Sequence, residues 1–291
     1  MILAKDIDHT IYGWWNPWIL LLTVMIACVY FIFTGPQRHR FLDHEVVPPR
    51  KKIFFLVGLF IFFLALGSPL AYIADHYLFS IHMLQQSLLY LVMPPIILLG
   101  LPDWLIRPLW WRPMLEPILT FFTHPLIAIA LFNLLLSLYH LPIIFDTIMS
   151  SVWLMIGAHL LLLLSAFCMW WPVIAPIPEL DRLSPLQKMT YLFADSILLT
   201  PACALIIFAG GLMYESFPYT DVPASLLPLT PLDDQQTGGV IMKVIQEVAY
   251  GTFLCYTFFG WVRGERKKEA EESPESIPYF EMELDPDHKK I

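Results

Sequence analysis

The stretch FSIHMLQQSLLYLVMPPIILLG (79–100) decides the fold, because it is mostly apolar and contains no Asp, Glu, Lys or Arg. An α-helix needs about 20 such residues to cross the hydrocarbon core of a bilayer. Inside that core every backbone N–H and C=O group must find a partner within the protein, which a helix provides by itself. The stretch therefore predicts a transmembrane helix.

Runs of the same kind recur on both sides of this stretch. The chain of 291 residues is 57% hydrophobic and only 14% charged, whereas soluble domains usually carry about 25% charged residues. The predicted spans are 15–34, 53–72, 79–100, 124–141, 152–172, 188–211 and 238–261. We therefore predict an all-α, polytopic membrane protein, with a bundle of about seven transmembrane helices in residues 1–263 and a charged, disordered cytoplasmic tail in residues 264–291.

The distribution of Lys and Arg predicts the orientation. Cationic residues occur in the first, third and fifth connections between the spans and in the tail, whereas the second, fourth and sixth connections hold none. Because loops rich in Lys and Arg stay in the cytoplasm, we expect the N-terminus outside and the C-terminus in the cytoplasm. The sixth connection, about 212–237, contains Pro, Tyr and Phe and is expected to form an ordered flap on the outer side.

Polar side chains converge at one depth in this arrangement. Four histidines and two methionines fall at or within the outer third of the membrane: His76, His82, His140, His159, Met83 and Met242. Imidazole binds copper, zinc and iron, and thioether sulfur favours Cu(I). We therefore predict a copper site with His82, His140 and His159 as ligands and the other three residues as auxiliary ligands. The three histidine side chains should then approach one another to within about 8 Å.

Two alternatives to a copper site remain open. Two of the same histidines on different spans could ligate a haem axially, which would make the chain a membrane redox protein. The histidines could instead hydrogen-bond neighbouring helices and the methionines fill the core, which would leave a metal-free assembly scaffold. Asn133, Ser137 and His140 share one face of a helix and should face the bundle in each case.

Other charged residues within or beside the spans have structural explanations. Lys243 and Glu247 are spaced i, i+4 and are expected to pair on their own helix. Asp195 would bond to a Ser or Tyr of a neighbouring helix or belong to a proton path. Asp233 and Asp234 precede the last span, where a carboxylate can cap a helix N-terminus.

Several classes of function are not expected. The chain has no nucleotide motif, no Ser/His/Asp arrangement and no Gly-rich phosphate loop, so we do not predict an enzyme. No basic patch with interleaved aromatic residues suggests a nucleic-acid partner. Membrane lipid is the expected surrounding of a multi-pass protein of this kind.

Four segments that carry these residues resemble a known family. They are ADHYLFSIHMLQQSLLYLVMPPIILLGLP (74–102), YHLP (139–142), MWWPV (169–173) at the end of the His159 helix, and PLDDQQTGGVIM (231–242). Together they are similar to the CtaG family of Gram-positive bacteria, polytopic proteins implicated in the assembly of caa-type cytochrome c oxidase. The resemblance extends from the second predicted span to the seventh.

The resemblance implies a role as an assembly factor or copper chaperone in the cell membrane. The implied partners are the catalytic subunit of cytochrome c oxidase, whose haem–copper centre would receive the copper, and other copper carriers. That copper lies within the membrane toward its outer side, at the depth of the predicted histidine cluster. One position departs from the family: many members have the pattern HMxQH, whereas the second histidine is replaced here by Gln86.

Overall fold

The computed structural model describes residues 14–35, 46–217, 219 and 230–272, and every regular element in these ranges is helical. The α-helices are α1 Pro17–Thr34, α2 Pro49–Gly67, α3 Pro69–His76, α4 Phe79–Ser87, α5 Met93–Gly100, α6 Asp103–Trp110, α7 Glu116–Phe122, α8 Pro125–Tyr139, α9 Pro142–Met149, α10 Val152–Ile174, α11 Pro185–Ile207 and α12 Pro231–Glu272. A π-helical segment, Leu88–Val92, joins α4 to α5, and a 3₁₀ turn, Pro178–Leu180, precedes α11. The all-α class is thus confirmed.

Four uninterrupted helices are long and apolar enough to cross a membrane: Pro17–Thr34, Phe79–Gly100, Val152–Ile174 and Pro185–Ile207. Two bent pairs raise the number to six, if each pair is one span. The predicted seventh span lies within α12, which is 42 residues long but carries Lys243, Gln246 and Glu247 in its apolar part. The described residues therefore support four to six spans, while seven spans and the outside N-terminus stay predictions.

The predicted span 53–72 is not a single straight helix, because the chain bends by 45° between α2 and α3. Ser68 accepts a hydrogen bond from the backbone of Leu70 and so caps α3, whose first residue is Pro69. Pro has no N–H to continue the preceding helix but fits the first position of a new one. A second bend, of 68°, separates α7 from α8 directly before Pro125.

At the C-terminal end, α12 continues to Glu272, so residues 264–272 are helical where the sequence predicts a disordered tail. The remainder of that tail lies outside the described residues.

The centre of the bundle is the span formed by α4, the π-helical segment and α5. The helix α4 packs against α12 and α3, while α5 packs against α2 and α10. Around this centre, large apolar side chains cover the outer faces; Trp153 and Phe208, for example, are each 82% exposed. Such a surface is unfavourable in water and typical of helices that face lipid.

The π-helical segment has a local cause in the sequence. Pro94 lacks the N–H that would reach the carbonyl of Tyr90 four residues earlier. The indole N–H of Trp170 on α10 donates to that carbonyl instead, at 3.2 Å. The segment therefore fixes α10 against the central span and orients Tyr90.

The connections between spans contact one another in two groups, the odd-numbered with the odd-numbered and the even-numbered with the even-numbered, as the predicted topology requires. Arg107 forms an ion pair with Glu179 at 2.6 Å, which joins the third and fifth connections. At the other end, Asp146 in the fourth connection accepts hydrogen bonds from the backbone of Glu215 and Ser216 in the sixth. Connections predicted to share a side therefore meet; which side faces the cytoplasm stays a prediction.

Candidate functional site

His82 lies on α4 and is fully buried in the bundle. Its Nε2 atom is 2.8 Å from the amide nitrogen of Gln86 and 3.1 Å from the hydroxyl of Tyr139. Its Nδ1 atom and the amide oxygen of Gln86 have no hydrogen-bond partner in the described part of the chain. Turning the Gln86 amide by 180° would let its oxygen accept the proton of Nε2 and leave the lone pair of Nδ1 for a ligand.

His140 directly follows α8 and is also fully buried. Its Nδ1 atom donates to the carbonyl of Leu136 at 2.7 Å, so the neutral ring carries its proton there. The other nitrogen, Nε2, is an acceptor with no partner among residues 14–35, 46–217, 219 and 230–272. The carbonyl of His140 accepts from the Tyr214 hydroxyl at 2.9 Å, which fixes the backbone at this point.

His159 lies on α10 and is half-buried. Its Nδ1 atom is 2.6 Å from the hydroxyl of Tyr90 in the π-helical segment. The ring centroids of His159 and His82 are 6.2 Å apart. The rings of these two histidines are therefore neighbours, although they belong to different helices, α4 and α10.

Tyr139 is the common neighbour of the three histidines. Its ring centroid lies 6.4 Å from that of His82, 5.3 Å from that of His140 and 6.1 Å from that of His159. The structure thus gathers the three predicted ligands around one tyrosine. Together, His82, His140, His159 and Tyr139 form the histidine cluster.

The predicted auxiliary residues differ in position. Met242 lines a small cavity with Gln86 and Tyr90, which contact the histidine cluster. Met83 is fully buried, and its side chain packs where α4 approaches Gly238 of α12. His76 is exposed at the end of α3, where its ring stacks on Tyr72 with centroids 4.5 Å apart.

No group of three or more His, Cys, Asp or Glu side chains in the described ranges is close enough to hold a metal ion together. The histidine cluster is therefore not closed around a common point. The ligand set stays a prediction, and binding by all three imidazoles would require their free nitrogens to turn toward one another.

Aromatic rings cover His82 on the side of the flap. Phe145 and Phe217 have ring centroids 5.5 and 5.9 Å from that of His82. Tyr214 packs on Phe145 and on Phe79, with centroids 4.6 Å apart in both pairs. The described part of the predicted flap thus packs against the histidine cluster. Residues 218 and 220–229 lie outside the described residues.

Sequence reasoning assigned no role to the two tyrosines that contact the histidines. Tyr139 directly precedes His140 in the YHLP segment, and Tyr90 lies within the central span. A tyrosine in an apolar run needs a partner for its hydroxyl, and that signal was available in the sequence. Which histidine each hydroxyl meets depends on how α10 packs on α8 and on the π-helical segment.

The other predictions about polar residues are tested by the described contacts. Asn133 and His140 are buried and Ser137 is half-buried, so the prediction that this face turns toward the bundle is confirmed. The predicted pair of Lys243 and Glu247 is confirmed at 2.6 Å.

Two aspartates have partners beyond those that the sequence predicted, and the hydroxyl of Tyr250, a residue of the predicted kind, also lies beside the Asp195 carboxylate. The carboxylate of Asp195 accepts from the side-chain amide of Asn133, at 2.5 Å. Asp234 caps α4 rather than its own helix, since it accepts from the backbone of Phe79 and Ser80.

Comparison with known proteins gives one match. A family model described as cytochrome c oxidase caa3 assembly factor (Caa3_CtaG) matches residues 28–264. No curated protein and no solved structure matches the chain.

Proposed function

The chain belongs to the family of cytochrome c oxidase caa3 assembly factors, and we propose that it acts by carrying copper in the histidine cluster to the haem–copper centre of the oxidase. The family match spans most of the chain and includes every residue of the cluster. Copper is the cargo in this proposal and no resident cofactor is required.

One observation carries the proposal: each of the three histidines is held at one ring nitrogen by a neighbouring group. Leu136 holds Nδ1 of His140, Tyr90 contacts Nδ1 of His159, and Gln86 contacts Nε2 of His82. Histidines that ligate metals are commonly held in this way, because the bond fixes the ring and its tautomer and leaves the second nitrogen for the metal. In His82 and His140 that second nitrogen is buried and has no partner among the described residues.

The donor atoms fit Cu(I). Imidazole nitrogen binds copper, and a thioether sulfur favours its reduced form. Met242 lines a small cavity together with Gln86 and Tyr90, so its sulfur is a soft donor close to residues that contact the histidines. The aromatic rings of Phe145 and Phe217 would limit the access of water to a bound ion.

An open ligand set suits a cargo that has to leave. Pre-organised sites bind more tightly, because binding does not have to order the ligands. Since the three imidazoles are not closed around one point, part of the binding free energy would be spent on bringing them together. We therefore infer transient copper binding, followed by transfer to the catalytic subunit of the oxidase.

Haem binding by the same histidines is less compatible with the packing. A macrocycle would have to enter between His82 and His159, and the ring centroids of Phe79, Tyr139, Phe145 and Phe217 all lie within 6.4 Å of that of His82. These buried rings leave a flat cofactor no space without repacking of the core.

The proposal is tested with the full-length protein purified in detergent and titrated with Cu(I) against a competing chelator. We expect about one copper per chain, and we expect His140→Ala and His82→Ala to weaken binding by tenfold or more, since each removes a ligand nitrogen. His124→Ala is the matched control, because His124 is exposed at the start of α8, at the opposite end of that helix. Cells that express the two cluster variants should contain less active caa3-type oxidase.

For each variant, circular dichroism gives the helical content, and the amount of protein in the membrane is measured as well. A variant that keeps both but loses copper has lost a ligand rather than its fold. A haem absorbance band in the purified protein would replace the proposal by the redox alternative. Unchanged copper binding in both cluster variants, or no binding in the native protein, would contradict it.

A further inference from the structure

A groove runs along the outside of the bundle between α2 and α12, over the π-helical segment and α5. Phe54 forms one wall, Leu91 and Ile96 form the floor, and Val244 and Val248 form the other wall. Val248 is 65% exposed. The groove is therefore an open, apolar channel on a surface that faces the membrane.

The groove has a charged end. Arg50 and Lys51, in the first turn of α2, line it at the end that the charge distribution predicts to be cytoplasmic. No acidic side chain within residues 14–35, 46–217, 219 and 230–272 forms an ion pair with either of them. The guanidinium of Arg50 lies over the ring of Phe54, 5.7 Å from its centroid, and the ammonium of Lys51 donates to the carbonyl of Leu101, at 3.4 Å.

From this charge pattern we propose that the groove binds an anionic phospholipid, with its acyl chains along the apolar channel and its phosphate on Arg50 and Lys51. Basic pockets between transmembrane helices on the cytoplasmic side recognise anionic headgroups in this way. A lipid matches both parts of the groove, since it joins an apolar chain to a negative charge at the membrane surface. A helix from a partner protein would fill the channel but would leave the two cations without a negative group unless it ended in an acid.

The position of the groove gives the lipid a structural role. Its floor residue Leu91 follows Tyr90, which contacts His159, and Leu91 also lines the small cavity that contains Met242. A bound lipid would press on the back of the π-helical segment and stabilise it. This role does not depend on copper, so the two proposals can fail separately.

The test compares phosphatidylglycerol with phosphatidylcholine of identical acyl chains, each added to the full-length protein in neutral detergent and counted by native mass spectrometry. We expect phosphatidylglycerol to bind about tenfold more tightly, because each cation near the phosphate favours the anionic headgroup. Arg50→Gln combined with Lys51→Gln should remove this preference. Lys52→Gln should keep it, since Lys52 carries the same charge in the same turn but does not line the groove.

A second variant tests the apolar channel. Val248→Trp places a larger side chain in the groove from an exposed position, so the fold should persist while binding of both lipids falls by tenfold or more. Equal binding of the two lipids by the native protein would overturn the proposal. So would a headgroup preference that survives loss of both cations, or lipid binding that Val248→Trp leaves unchanged, as expected if a partner helix is the occupant of the groove.

Discussion

At the scale of single residues, the polar groups of the bundle are placed by their hydrogen bonds rather than by their charges. Tyr90 contacts His159, Tyr139 contacts His82, and Asn133 donates to Asp195. In the contacts of His82 and Asp195, a neutral group bonds one atom of a buried side chain and leaves another atom of it without a partner among the described residues. A buried polar atom without a partner is costly, so these open atoms are the positions where a ligand or a proton is expected.

Tyr90→Phe should weaken Cu(I) binding while it leaves the fold unchanged. The substitution removes the hydroxyl that lies 2.6 Å from Nδ1 of His159, and loss of such a supporting contact typically lowers metal affinity by about 10- to 100-fold. The measurement is the same chelator competition as for the histidine variants. Tyr191→Phe is the matched control, because its hydroxyl bonds the carbonyl of Met169 away from the cluster; an equal loss in both variants would point to a general effect of removing a buried hydroxyl.

Replacement of Asn133 should be more harmful than replacement of Asp195. Asn133→Leu removes the amide that donates to the fully buried carboxylate of Asp195, which should cost about 1–3 kcal/mol of unfolding free energy. Asp195→Asn removes a buried charge, and an amide can keep the contact with Asn133, so stability should change little. Thermal unfolding in detergent distinguishes the two; a larger loss in Asp195→Asn would instead mean that the bundle requires the carboxylate itself.

At the scale of helices, α4 is the element that positions the site, and it is fixed from both ends. Its start is capped from α12 by Asp234, which also accepts from the hydroxyls of Ser80 and Tyr219. Its end passes into the π-helical segment, where Trp170 replaces the donor that Pro94 lacks. Both restraints come from other helices, so the position of His82 depends on how the bundle is assembled.

Asp234→Ala should destabilise the start of α4 by about 1–2 kcal/mol, which is the usual cost of losing a helix N-cap. Hydrogen exchange at the amides of Phe79 and Ser80 should accelerate, because these two groups donate to the lost carboxylate. The neighbouring Asp233→Ala is the control, since the side chain of Asp233 accepts from the hydroxyl of Thr230, directly before its own helix, and not from the start of α4. Similar exchange in native protein and Asp234→Ala would show that α4 does not rely on this cap.

At the scale of the whole molecule, the connections form two separate groups. Arg107, Glu179 and Arg182 belong to one group, in which Arg182 also donates to the carbonyl of Thr120 at 3.4 Å. The histidine cluster lies toward the other group, beneath the flap residues that bond to Asp146. If the charge rule holds, the flap faces outward and the histidine cluster lies near the outer surface, where the proposed transfer to the oxidase would take place.

Reporter fusions test this orientation. A reporter that is active only in the cytoplasm should be active when it is fused after Trp111 or after Arg182, since both positions lie in connections that contain Arg. The same reporter should be silent within 218–230, in the sixth connection, which contains no Lys or Arg. Activity within 218–230 would invert the bundle and move the histidine cluster to the cytoplasmic side.

The sequence by itself determined the class of protein and the candidate side chains. Long apolar runs such as 79–100 can satisfy their backbone only as helices in a membrane, so the all-α class followed from composition alone. Local spacing also predicted the pair of Lys243 and Glu247 and the buried face of Asn133 and His140, because residues three, four or seven apart share a helix face.

Only the tertiary structure decided which groups meet. The contacts of Tyr139 with His82 and His159, the cap that Asp234 provides to α4, and the contact of Tyr90 with His159 all join residues that are distant in the chain. Each depends on the tilt and rotation of whole helices, and these are set by packing over the entire bundle rather than by local sequence. The break at Ser68 has a local signal in Pro69, but its angle of 45° is likewise fixed by how α2 and α3 pack against their neighbours.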